Sequence, residues 1–183
     1  MVSVVVPFRG VGGKNRLAPL TASERAEVAL AMLADVLDAC VAVGSTTVVT
    51  NDEAAAELAA RRGASVCADP GGGQGAAVAA ALAGLPEGPT LVVNADLPLV
   101  RAADLEALLA AVPPSGLAYA PAEDGTTNAL GLSSPALFAP LYGPGSAARF
   151  AAHATAVAVA LPRLAADVDT VADLERVGWV PAR

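Results

Sequence analysis

The chain has 183 residues, 55% hydrophobic, 3% aromatic and 16% charged, with a formal net charge of −7 at pH 7. That length suits one domain with a proper core, spanning residues 1–183. The acidic balance and the scarcity of aromatics exclude nucleic acid as a partner, because a phosphate backbone demands a basic patch and bases demand stacking platforms.

No apolar run approaches the roughly 20 residues of a bilayer span, so no membrane association is expected. The N-terminus enters a strand at once without a charged leader, which points to a cytoplasmic protein with no signal peptide. Cys40 falls in an apolar helical stretch and Cys67 at a strand end. Both read as reduced cysteines, with no Cys or His at zinc-site spacing.

The first strand covers residues 2–7 and is continuous in valine, as when both faces of a strand are covered. The loop after it holds Arg9, Gly10, Gly12, Gly13, Lys14 and Arg16. Its glycines permit close backbone approach, and successive N–H groups can form an anion nest. It is neither a Walker A loop nor a dinucleotide fingerprint. The 11 basic residues include a single lysine, Lys14, and it sits in this loop. Lys14 with Arg16 suggests a triphosphate clamp, against the alternative of a solvated surface lysine.

Thr21 and Glu24 have capping-box spacing, and a helix is expected over residues 23–42 with Val28, Met32, Leu33, Val36, Leu37 and Cys40 on one face. A second strand follows at 46–50, then a helix capped by Asn51 or Asp52 and running through Arg62, then a third strand at 64–67. The loop at 69–75 carries Gly73 and Gln74 and leads into an alanine-rich helix at 76–83.

Leu91-Val92-Val93-Asn94-Ala95-Asp96 reads as a buried strand, stopped by Pro98. Asp96 is left at the carboxyl end of that strand, where ligands bind in open α/β sheets. It can hold a divalent cation over a nucleotide phosphate or merely cap a turn. A helix at 101–112 completes four β-α pairs, so an α/β fold with a mostly parallel twisted sheet flanked by helices is expected.

From Gly116 the alternation loosens. Strands are expected at 117–121 and 128–132, a short helix at 135–141, a helix capped by Ser146 and running through His153, a strand at 157–161 and a last helix at 171–177. Thr127, Gly143 and Ser146 offer hydroxyls and backbone amides without bulk, and a helix N-terminus at Ser146 favours a phosphate or carboxylate. Asp167 and Asp169 stand on one side of an extended segment. One of them can join Asp96 on a metal while the other caps the last helix, or both are ordinary caps, since Thr170 and Asp173 also resemble a capping pair. His153 has no catalytic partner at a useful spacing and reads as structural or as a cation at a helix C-terminus.

Taken together, Lys14-Asn15-Arg16-Leu17-Ala18-Pro19-Leu20, Ala95-Asp96-Leu97-Pro98, Gly125-Thr126-Thr127-Asn128-Ala129-Leu130, Gly143-Pro144-Gly145-Ser146 and Asp167-Val168-Asp169-Thr170 resemble the guanylyltransferases of coenzyme F420 biosynthesis. These lie within the MobA-like nucleotidyltransferase superfamily. The resemblance implies a single-domain, Rossmann-like nucleotide-diphospho-sugar-transferase fold. It implies that the phosphate of phosphoenolpyruvate or 2-phospholactate attacks the α-phosphorus of GTP and that pyrophosphate leaves. By the same resemblance Lys14, Arg16 and Asp96 are catalytic, and Arg9, Gly10, Gly12, Gly13, Lys14, Gly73 and Gln74 bind the nucleotide. Mg²⁺ is implied on Asp96 and Asp167 with Asp169 close by, and the three-carbon acid against Thr127, Gly143 and Ser146. A homodimer stays open.

The chain departs from that pattern at Phe8-Arg9, and at Gly73-Gln74-Gly75, where a Leu-Asn pair is usual. The threonine loop is one residue shorter. Related enzymes of the same fold act on 3-phosphoglycerate, molybdopterin or a sugar phosphate. A non-catalytic nucleotide-binding regulator is the alternative of a different class.

Overall fold

A computed structural model describes residues 1–10, 17 and 20–180. Among these, β1 (Ser3–Pro7), β2 (Ser45–Val49), β3 (Ser65–Cys67), β4 (Thr90–Val93), β5 (Leu117–Pro121), β6 (Thr127–Leu132) and β7 (Ala156–Ala158) form one sheet in the order β3-β2-β1-β4-β6-β5-β7. β1 is parallel to β2 and β4, β2 to β3, and β5 to β7. β6 runs antiparallel to both of its neighbours, β4 and β5. The sheet is therefore mostly parallel, and the loosened alternation after residue 116 marks the entry of the reversed strand.

The helices are α1 (Ala22–Val43), α2 (Glu53–Arg61), α3 (Gln74–Leu82), α4 (Ala102–Ala110), α5 (Ser146–His153), α6 (Pro162–Ala165) and α7 (Val171–Val177). Successive strand residues point to opposite faces, and the core divides accordingly. Val4 and Val6 of β1 and Leu91 and Val93 of β4 pack with α1, α2 and α4 through Leu33, Val36, Ala55, Ala59, Leu105 and Leu108. Val5 and Val92 face the other way, onto Ala77, Val78 and Ala81 of α3 and Phe150 of α5. Both faces are covered, which is why the valine run of β1 has no polar alternation. A smaller cluster joins Leu17 and Val168 to Met32 of α1. It holds the segment after α6 against the first helix.

Thr21 and Glu24 close a capping box on α1, and the Asp52 carboxylate accepts the Ala55 N–H at the start of α2. Cys40 is fully buried and burial pushes its thiol up to about 12, so it stays a protonated core residue; neither cysteine is in a disulfide. No described helix is long and apolar enough to cross a membrane.

Several boundaries differ from expectation. β4 stops at Val93, three residues before Asp96, although Asn94 still donates its N–H to the Asn128 carbonyl. α3 begins at Gln74, two residues early, because the loop turns at Gly73 with no side chain needed to cap it. The short helix expected at 135–141 is one 3₁₀ turn, Pro135–Leu137. The strand expected at 157–161 is Ala156–Ala158, and Pro162 instead opens α6, a helix of four residues with too little periodicity to read.

Candidate active site

The carboxyl ends of β1 and β4 lie side by side because the two strands are parallel neighbours. The loops leaving these strand ends line one cavity of about 230 Å³, whose wall includes Arg9, Gly10, Gln74, Asn94, Asp96 and Asp169. Arg9, Gly73 and Gln74 also line a second cavity of about 570 Å³, together with Tyr142 and Gly143. The fold thus gathers residues from four distant stretches at one sheet edge, the position expected for ligands. Gly12, Gly13, Lys14 and Arg16 lie outside the described residues.

Asp96 reaches this edge through backbone as well as side chain. Its carbonyl accepts the Val168 N–H at 3.0 Å, which fixes the segment 167–169 beside it. Asp167 is thereby brought close enough to feel Asp96 and Asp169. Its carboxyl is raised above the ordinary value, chiefly by burial, with the charges of Asp96 and Asp169 adding to the rise and the Asn128 hydrogen bond opposing it. Asp96, Asp167 and Asp169 are the residues here with hard oxygen donors for a cation. Among the described residues no group of three or more His, Cys, Asp or Glu side chains has the arrangement of a metal cage. A hydrated Mg²⁺ does not require one: it keeps several waters and takes one or two carboxylates plus phosphate oxygens.

Neither Asp167 nor Asp169 caps the last helix. Thr170 does so, its hydroxyl accepting the Asp173 N–H while the Asp173 carboxylate accepts the Thr170 N–H at 2.8 Å.

The threonine and glycine loops meet as well. Ser146 is the first residue of α5, not its cap. Gly145 occupies the cap with φ of 73°, a left-handed conformation that a glycine adopts without strain. The Ser146 hydroxyl donates to the Thr127 hydroxyl at 3.3 Å, and the Ser146 N–H to the Gly143 carbonyl at 3.0 Å. Both side chains are buried, at 0% and 2% exposure, and neither lines the two cavities. Gly143 does line the second one.

Several residues that matter here carry no readable signal in the sequence. Arg149, one turn into α5, donates to the carbonyls of Leu141, Tyr142, Gly143 and Pro144 and so fixes the glycine loop as a fan around one guanidinium. Asn51, a candidate helix cap by its position, instead exchanges two hydrogen bonds with the Asp69 backbone, pinning the start of the 69–75 loop to β2. Gly75 has no room for a side chain: a Cβ there would sit 2.6 Å from that of Pro140. Arg163 grips the buried Asp104 with two bonds of 2.7 and 2.8 Å, which anchors α6 ahead of Asp167. His153, in the last turn of α5, has its Nε2 3.1 Å from the Leu137 carbonyl.

Known proteins agree with this architecture. The family described as "Guanylyl transferase CofC like" matches residues 2–162. The phosphoenolpyruvate guanylyltransferase of Roseiflexus castenholzii is 41% identical over 182 residues, covering 93% of this chain and 84% of the relative. That of Nocardia farcinica is 42% identical over 180 residues, covering 89% and 78%. Among solved structures, a nucleotidyl transferase from Methanothermobacter thermautotroptrophicus superposes with a TM-score of 0.66 at 15% identity, covering 97% of this chain and 95% of the other. A Desulfovibrio desulfuricans protein assigned as a nucleotide-diphospho-sugar transferase gives 0.73 at 16% identity, covering 96% and 85%. These two share the fold alone. On the match over residues 2–162 and identities above 40% along most of its length, the chain belongs to the CofC-like guanylyl transferase family.

Proposed function

We propose that the protein transfers GMP from GTP to phosphoenolpyruvate, or to 2-phospholactate, with release of pyrophosphate, as a cytoplasmic enzyme of coenzyme F420 biosynthesis. The observation that supports this best is the placement of Asp96 and Asp169 in one cavity with Arg9, Gly10 and Gln74. It sets carboxylate oxygens beside the loops proposed to approach a nucleotide.

The donor set fits Mg²⁺: clustered carboxylates repel one another, burial raises Asp167, and a divalent cation relieves both. Asp96 and Asp167 would hold it, with Asp169 alongside. Bound there, the metal would supply positive charge to the triphosphate in a protein whose own net charge is −7. The remaining tasks fall to the chain. Lys14 and Arg16 contact the phosphates, and the glycines 10, 12 and 13 let backbone N–H groups do the same. Gly73 and Gln74 border the nucleotide. Gly143 would face the three-carbon acid from the second cavity, with Thr127 and Ser146 bonded to each other beneath it and supporting that side. No protein nucleophile takes part, since the acid's own phosphate attacks, so the work is positioning and charge stabilisation.

The test is a panel assay: purified protein, Mg²⁺ and GTP with phosphoenolpyruvate, 2-phospholactate or 3-phosphoglycerate, following pyrophosphate release and the guanylylated product. Pyrophosphate formed with one of the first two acids is expected. Binding of GTP without pyrophosphate from any acid would make the chain a nucleotide-binding regulator instead. Turnover confined to CTP or to a sugar phosphate would move it elsewhere among the nucleotidyltransferases.

A further inference from the structure

The carboxylate segment 167–169 is held from two sides. On the sheet side, the Asp96 carbonyl accepts the Val168 N–H at 3.0 Å, and the Asn128 amide donates to Asp167 Oδ1 at 3.1 Å. On the other side the segment hangs on α7. The Asp173 carboxylate accepts the Asp169 N–H at 3.2 Å, and Arg176 Nη2 donates to the Asp167 carbonyl at 3.4 Å. The seat of α7 therefore sets the backbone of both carboxylate residues.

α7 has little of its own to keep it seated. None of its seven residues is buried. A helix of two turns is not stable alone, and a segment with few buried apolar contacts opens at low cost. Its apolar side, Leu174 and Val177, is only partly buried against the small cluster of Leu17, Met32 and Val168. The firmer fastening is at its far end. Gly178 closes the helix with φ of 62°, left-handed as a glycine C-cap requires. The next residue, Trp179, packs against the same cluster and donates its indole N–H to Asp35 Oδ2 at 2.6 Å. Val28, Met32 and Asp35 follow one stripe along α1, since residues three and four apart are neighbours on a helix. α1 is itself fixed in the main core through Leu33, Val36 and Leu37. The Trp179–Asp35 bond thus ties a lightly packed helix to a deeply packed one. Neither residue lines the two cavities of the site; they share a separate surface cleft with Pro98 and Arg101.

We propose that the Trp179–Asp35 hydrogen bond is a latch that docks α7 on α1 and so sets Asp167 and Asp169 against Asp96 for the cation. The proposal rests on the metal role given to these carboxylates in the guanylyl-transfer reading and adds to it two positioning residues. Trp179 and Asp35 touch no ligand; they act through Asp173 and Arg176 on the carboxylate backbone. The coupling is reciprocal: a latch that favours the cation is favoured by it. The most the latch can pass on is the worth of one hydrogen bond to a carboxylate, about tenfold in affinity.

Trp179 is the single tryptophan of the chain, so its emission reports the latch directly. The experiment reads two signals in the presence of GTP and without acid substrate. Protein-bound Mn²⁺ is followed by electron paramagnetic resonance, and tryptophan emission is followed as Mg²⁺ is added. Asp35→Ala should weaken Mn²⁺ binding about tenfold. Its metal-free emission should shift to the red, as for an indole released to water, and return toward wild type as Mg²⁺ and GTP bind. Asp35→Asn keeps an acceptor oxygen and should stay near wild type in both signals. Trp179→Phe keeps a ring and loses the N–H, so its Mn²⁺ affinity should match that of Asp35→Ala. The double variant should bind no worse than either single one, because both remove the same bond.

A red-shifted Asp35→Ala with wild-type Mn²⁺ affinity would make the bond a structural tie alone and overturn the proposal. Weakened Mn²⁺ binding without any change in emission would overturn it too, as would additive losses in the double variant. Asp35 is partly exposed on a long helix and alanine is the best helix former, so Asp35→Ala should fold; thermal unfolding is checked first. Absence of Mn²⁺ binding by wild type would instead defeat the metal role of the carboxylates and the latch with it, a result seen before any variant is made.

Discussion

At the scale of single residues, the two side chains with the sharpest expectations behave differently once placed. Asp96→Asn keeps the volume and loses the charge, so it should abolish turnover and leave the unfolding midpoint near that of wild type. Retention of the wild-type rate at limiting Mg²⁺ would remove Asp96 from the metal site. Ser146 reads in the sequence as a donor to an anion and as a helix cap, from its place after Gly143-Pro144-Gly145. Its hydroxyl is instead engaged by Thr127 and its N–H by Gly143. Ser146→Ala should therefore act mainly on the fold, leaving the buried Thr127 hydroxyl without that donor at a cost of about 1 kcal/mol in urea unfolding. An unchanged midpoint with a raised KM for the acid would show the hydroxyl turning to the substrate. Sequence spacing marks both residues as site candidates, yet cannot tell which partner each finds, because the partner lies tens of residues away or, for Ser146, 19 residues back across a turn and a strand.

At the scale of elements, caps are the most legible feature. Thr21 with Glu24 and Thr170 with Asp173 are local in sequence, and both boxes form. The box on α7 has an acid-dependent consequence. Burial alone would raise the Asp173 carboxyl, but hydrogen bonds from the Thr170 hydroxyl and N–H, from Arg176 and from the Asp169 N–H outweigh it and hold it at about 2. A carboxyl depressed in the folded state stabilises above its unfolded value, near 4, and that contribution is lost as pH falls from there toward 2. The unfolding midpoint should thus drop across that window in wild type, and Asp173→Asn should flatten this part of the pH curve. Thr170→Ala removes the reciprocal bond and should cost about 1 kcal/mol at pH 7. Element ends without a local partner are harder to read. The apolar run of β4 gives no stop short of Asp96, whereas the ladder to β6 ends at Val93. α6 escapes a sequence reading because four residues carry no period.

At the scale of the whole molecule, the α/β order and the sheet edge where the candidate residues gather are readable from alternation alone, while the reversed direction of β6 is not. Strand direction depends on connections made far along the chain, and the loosening after Gly116 signals only that the pattern changes. The bonds from Gln74 Nε2 to Asn94 Oδ1 and from Asn94 Nδ2 to Asn128 Oδ1 are invisible in sequence for the same reason: the three residues belong to separate stretches, and nothing in their spacing announces that they touch. β6 lies between β4 and β5 and bonds to both. A polypeptide emerging from the ribosome has completed β1 through β4 well before residues 127–132 exist, so β4 waits as an open edge until β6 inserts. Only then does Asn94 gain Asn128, and only after α6 does the Asp96 carbonyl gain the Val168 N–H. The carboxyl edge of the sheet is accordingly completed late in synthesis, when β6 and then the segment 167–169 close on a framework already laid down.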